Sequence, residues 1–134
     1  MKEWEDVFFP RNKAERDKLN LDQFRWHIFS GNAYPSLDGE NAIKEYEQQV
    51  CREFYVIPER SEDENEIPFK TRKAPPGRLV KLQRDVYVFP KNLAWTFAFT
   101  HEAGWLGPYF AKNRNYDRLN GKNVDAFRAI NKKW

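Results

Sequence analysis

One cysteine, one methionine, two histidines and six glycines in 134 residues leave little material for several kinds of chemistry. Cys51 alone cannot form an intrachain disulfide and offers no thiol pair for a metal. There is no CxxC, no glycine-rich phosphate loop and no GxSxG elbow, and neither Ser30 nor Ser61 has a context that would activate its hydroxyl. No apolar run approaches the ~20 residues that a membrane helix needs. The start, MKEWEDVFFPRNK, lacks the continuous apolar segment of a signal peptide. These absences predict a soluble cytoplasmic protein with no cofactor and no membrane association.

Aromatic residues are what the chain has in quantity. They make up 16% of it and offset a modest hydrophobic fraction of 40%, because each ring buries a large area. A charged fraction of 32% supplies the surface. The length suits one domain, 1–134, with a single core.

The net charge of +3 is too small to imply nucleic-acid binding by itself, but it is unevenly distributed. Residues 59–66 (ERSEDENE) carry five acids and one base, whereas 70–84 (KTRKAPPGRLVKLQR) carry six bases and no acid. The tail 112–134 has seven bases against two acids. An acidic block beside a basic block reads first as a solvated, self-compensating loop, and 59–77 is expected to be one long, mobile, charged loop. Lys70, Arg72, Lys73 and Arg78 are the candidate anion contacts if that segment binds phosphate or nucleic acid.

Periodicity then places the elements. Residues 3–9 read as a short strand or a lead-in that packs on the core, and Asn12 as the cap of a surface helix through Leu19. Residues 24–30 (FRWHIFS) fit a helix continuing from Asp22 and ending at Gly31, although Phe24, Trp26 and Ile28 also fit a strand face. The clearest helix is 41–54, with Ala42, Ile43, Tyr46, Val50 and Phe54 at steps of three and four, capped by Ser36 or Asp38. Cys51 falls on or near that face, as a small core residue rather than a nucleophile. Residues 55–57 and 78–83 read as strands. Residues 86–89 and 94–101 form a hairpin across Pro90-Lys-Asn-Leu, and Tyr109-Phe110 a last short strand. A polar loop over 113–120 precedes a closing helix, 124–132, capped by Asn123. The fold class is α+β, a small antiparallel sheet packed against two to four helices.

The densest apolar stretch, 86–110, contains one of the two histidines. Strand alternation over 94–102 puts Trp95, Phe97, Phe99 and His101 on one face and Thr96, Ala98, Thr100 and Glu102 on the other, where Thr100 and Glu102 can share a hydrogen-bond network. His101-Glu102 is not a zinc-protease motif, because Trp105 stands where the second histidine belongs and Gly104 breaks any helix. His27 likewise follows a tryptophan, Trp26. No metal-ligand spacing is present, so no metal site is expected. Each histidine reads first as a core-edge residue satisfied by a hydrogen bond. An acid–base or ligand site would require both imidazoles close together and near a carboxylate. The candidate ligand or partner site is Trp26, His27, Thr100, His101, Glu102, Trp105 and Tyr109. Trp105 lies on a glycine-bounded loop that either folds back on the core or meets a partner.

The motifs WHIFS at 26–30, YPSLDGENAI at 34–43 and WTFAFTHE…GPYF across 95–110 together resemble a bacterial family of small single-domain proteins of unknown function. The resemblance implies a compact cytosolic domain and brings no activity or catalytic residue with it. The expected function is therefore a small binding module for a protein partner or small ligand, in the manner of an immunity protein or antitoxin. The alternative is a small enzyme, or a ligand or metal site, using His101, Glu102 and His27. Anion or nucleic-acid binding through 70–84 is the third reading.

Overall fold

A computed structural model describes residues 1–21, 23–59, 69–71, 85–102 and 106–131. Helices α1 (Lys2–Phe8), α2 (Lys13–Lys18) and α3 (His27–Ser30) come first, followed by strand β1 (Leu37–Asp38) and helix α4 (Gly39–Gln48). Strands β2 (Phe54–Pro58), β3 (Phe69–Thr71), β4 (Val86–Pro90), β5 (Trp95–Phe99) and β6 (Tyr109–Lys112) lead to the closing helix α5 (Tyr116–Asn131). The strands form one antiparallel sheet in the order β1-β6-β5-β4-β2-β3.

Strand alternation divides the core into two layers. Tyr87, Phe89, Ala98, Tyr109 and Ala111 face the N-terminal helices and meet Trp4, Phe8, Trp26, Ile28 and Phe29. Phe54, Val86, Val88, Trp95, Phe97, Phe99 and Phe110 face the other way, against Ala42 and Tyr46 of α4 and Tyr116 and Leu119 of α5. Both faces of the sheet are covered, which is why β4 and β5 are buried along their whole length. Ring geometry orders each layer: Tyr46 stacks on Phe97 at 4.3 Å, and the Trp4 indole N–H donates to Thr96 Oγ1 at 2.8 Å. That bond satisfies a buried polar atom which would otherwise count against the fold.

The hairpin, β6 and the α+β class are present as the sequence predicts, although Pro90 joins β4 rather than the turn and β5 is shorter than expected, Trp95–Phe99. So is the Asn12 cap, whose side chain accepts from Ala14 N at 2.8 Å. Cys51 is buried, and its Sγ–H donates to Glu53 O at 3.2 Å. Residues 2–8 are a helix, with Trp4 and Phe8 buried one turn apart. Only the end of 24–30 is helical, as α3.

Several boundaries differ. The helix expected over 41–54 stops at Gln48, and Phe54 opens β2 instead. Phe54 keeps the same core, reached from the sheet rather than from the helix. Asp38 stands at the N-cap of α4 without a side-chain cap bond, and with Leu37 it forms an edge strand on β6. The single loop expected over 59–77 is interrupted by β3, whose three residues pair with Phe54, Tyr55 and Val56, and Glu59 at its start is buried. The remainder of that stretch lies outside the described residues, as does the strand expected over 78–83. The closing helix begins at Tyr116, so the polar segment 113–120 is largely helical: Tyr116 and Leu119 supply an inward face that its asparagines obscure in the sequence.

Candidate functional site

Register places the site. β2 ends, β4 begins and β5 ends at the same end of the sheet, because Pro58 pairs with Val86 and Val86 with Phe99. The next rung therefore sets Glu59 beside Asp85, and Glu59 N–H donates to Asp85 O at 2.9 Å. The segment 23–27 lies across this end and contributes Phe24, Arg25, Trp26 and His27.

Asp85 is the pivot. Its carboxylate is only 4% exposed and collects three donors from two other segments. Oδ1 accepts the His101 backbone N–H at 2.5 Å and the His101 ring at Nδ1, 2.8 Å away. Oδ2 accepts the Trp26 indole N–H at 3.1 Å. An oxygen that accepts both bonds fixes the proton of a neutral His101 on Nδ1 and leaves Nε2 as an acceptor. Nε2 lies 3.7 Å from Glu102 Oε1, at the surface.

His27 is arranged in the same way by different partners. Its Nδ1 faces the Leu19 and Asn20 carbonyl oxygens at 3.1 and 3.2 Å, which can only accept, so its free acceptor is again Nε2. Both imidazoles contact one ring: Phe24 lies 5.4 Å from His27 and 5.2 Å from His101, centroid to centroid. Trp26 forms the floor, stacked on Phe24 at 5.5 Å and on Tyr109 at 6.2 Å.

Behind this face sits a buried ionic cluster. The Glu59 carboxylate accepts from the Arg25 backbone N–H, from Arg25 Nη1 and, at 2.6 Å, from the Tyr87 hydroxyl. Arg25 also donates to Glu59 O at 2.8 Å and reaches Glu5 at 3.3 Å. Burial lifts the Glu59 carboxyl above the usual range, and the bonds from Tyr87 and Arg25 pull it only part of the way back. Burial opposes the Arg25 charge, but Glu59 and Glu5 outweigh it and hold the guanidinium pKa above its ordinary value.

Burial, reinforced by Glu59, pushes the Tyr87 hydroxyl well above its ordinary value. The sign of the resulting pH dependence follows. The folded state holds the Tyr87 proton more tightly than the unfolded chain, so this contribution is complete below about pH 10 and is lost as pH rises beyond it. Alkaline unfolding followed by circular dichroism is expected to set in above about pH 10 and to become shallower in Tyr87→Phe. An unchanged profile would separate Tyr87 from the transition.

The sequence-selected residues divide as follows. Trp26, His27, His101 and Glu102 come together. Tyr109 is buried and reaches the group through Trp26, on which it stacks. Thr100 is buried, and its hydroxyl donates to Leu106 O, which pins the turn leading back to β6. Gly107 is required in that turn: at φ +97° an added Cβ would stand 3.1 Å from Thr100 Oγ1. The alternation expected through His101 stops at Phe99. Asp85 holds the turn, and His101 joins Phe24 and Trp26 on the face opposite Trp95, Phe97 and Phe99. The expected Thr100–Glu102 network is replaced by the Thr100 bond to Leu106 and the approach of Glu102 to His101. Trp105, Arg72, Lys73 and Arg78 lie outside the described residues, and Lys70 is placed on β3 opposite Tyr55. Among the described residues no three His, Cys, Asp or Glu side chains are grouped to hold a metal, and no helix is long and apolar enough to cross a membrane.

Phe24, Arg25, Glu59, Asp85 and Tyr87 are site residues that sequence reasoning missed. One signal was available for Asp85. Extending the hairpin register by one rung sets it opposite Thr100, beside His101.

A family model described as a domain of unknown function (DUF4275) matches residues 1–110, which take in the whole histidine face and end within β6. No curated protein and no solved structure matches.

Proposed function

The chain belongs to that family, whose description names no activity, and on this premise we propose that it is a binding module taking a ligand or partner group at the His27–His101 face. The observation that carries the reading is the presence of two imidazole Nε2 acceptors around one phenylalanine ring, each histidine with Nδ1 held by an oxygen acceptor. A group held this way is preorganised, so binding costs little side-chain entropy. The acceptors and the Glu102 carboxylate suit a hydrogen-bond donor or a cation, such as an amine or guanidinium. Affinity capture from a native extract, with retained proteins and small molecules identified by mass spectrometry, tests this. The His27→Gln/His101→Gln variant should retain the bound species at least tenfold less than the wild type, the equivalent of about 1.4 kcal/mol. Equal retention would overturn the reading.

A second reading rests on the Asp85–His101 pair. A carboxylate that bonds Nδ1 and leaves Nε2 facing outward is the orienting half of a general base. Cys51 belongs to the opposite core layer and Thr100 is committed to Leu106, so the base would act on water or on the substrate's own proton. Turnover of aryl ester or phosphate probes that is abolished by His101→Gln would favour this reading over simple binding.

A further inference from the structure

A cleft lies at the β1 edge of the sheet, and neither histidine lines it. β1 pairs with β6 over two residues only, Leu37 with Phe110 and Asp38 with Tyr109. Extending that register would set Pro35 opposite Lys112, but proline has no N–H to give the ladder, and the chain peels away from β6 there. The Tyr34 hydroxyl returns to the strand and donates to Lys112 O at 2.6 Å. The gap that remains is a cleft of about 590 Å³, lined chiefly by Tyr34, Pro35, Leu37, Phe110, Lys112 and Arg114.

Its chemistry is one-sided. The walls are apolar, and Leu37, at 40% exposure, is the large hydrophobic residue left open to solvent among those described. Among the described residues, the two charged ones in the lining are cationic and no carboxylate lines the cleft. Lys112 is already occupied, 3.4 Å from Glu45 and over the Tyr116 ring at 4.6 Å. Arg114 has no hydrogen-bond or ion-pair partner among the described residues. Its charge does act in the cleft: burial raises the Tyr34 hydroxyl pKa, and Arg114 offsets part of that rise.

We propose that this cleft binds a small amphipathic carboxylate, with the apolar body against Leu37, Pro35 and Phe110 and the carboxylate on the Arg114 guanidinium. Pockets of this size, mostly apolar with one or two placed charges, are typical of small-molecule sites. Arginine suits the role because its planar fork engages both carboxylate oxygens.

The test pairs two probes with one body and opposite charge, 4-phenylbutyrate and 4-phenylbutylamine, titrated into the full chain and followed by NMR. The acid should shift Leu37 and its neighbours and bind at least fivefold more tightly than the amine, less so as salt is added. Arg114→Gln should remove that preference and Arg114→Glu reverse it, with the Leu37 signals confirming that each variant is folded. Equal binding of the two probes, shifts confined to another part of the molecule, or a charge preference untouched by Arg114→Glu would each overturn the proposal.

Discussion

Replacing Glu59 by alanine is expected to destabilise the protein by about 3–5 kcal/mol, the usual cost of removing one partner of a buried ion pair. The side chain is 7% exposed and serves Arg25 and Tyr87 together. Its loss leaves the Arg25 guanidinium, 24% exposed, without its nearest counter-charge, and a buried tyrosine hydroxyl without an acceptor. The cost therefore exceeds the net worth of the pair, because it includes groups left unsatisfied. Thermal unfolding should show a Tm lower by roughly 10 °C or more. Glu59→Gln, which keeps an acceptor for Tyr87, should fall between. A loss below about 1 kcal/mol is what an exposed ion pair would give, and would remove this cluster from the architecture.

The pH dependence that Glu59 adds has a definite sign. Its carboxyl is raised in the folded state, chiefly by burial. The folded protein thus holds that proton more tightly, so the contribution is complete below the ordinary glutamate range and declines as pH rises through the elevated value. Glu59→Ala should abolish this component of the stability profile.

Asp85→Asn should cost about 2–3 kcal/mol and release His101. The carboxylate accepts from three donors, and an amide replaces one oxygen with a further donor. Whichever way the asparagine turns, its NH₂ group meets either the Trp26 indole N–H or the His101 pair of N–H groups. Imidazole nitrogen NMR provides a readout that a general loss of stability would not move. The wild type should show the Nδ1–H form at His101, and the variant a mixture of tautomers. A variant with unchanged stability and an unchanged His101 tautomer would show that Asp85 does not orient the ring.

Legibility followed the range of the interactions. The β4–β5 hairpin could be read because its signals, alternating apolar residues and turn residues between them, all lie within a short stretch of chain. The Asn12 cap could be read for the same reason. β3 could not, since its three residues are in a strand only because β2 lies beside them. The start of α5 was masked by asparagines that favour loops in isolation, while Tyr116 and Leu119 anchor it on the opposite layer.

The candidate site divides along the same line. Sequence by itself determined the α+β class, the aromatic core and the hairpin, and it singled out the two histidines as candidates. Tertiary structure alone decided that those histidines share the Phe24 ring. It also decided that the carboxylate orienting His101 is Asp85, sixteen residues away, rather than the adjacent Glu102. The reason is physical. An Asp85 buried at the start of a central strand must satisfy its oxygens, and sheet register brings the donors that do so from segments the sequence keeps far apart.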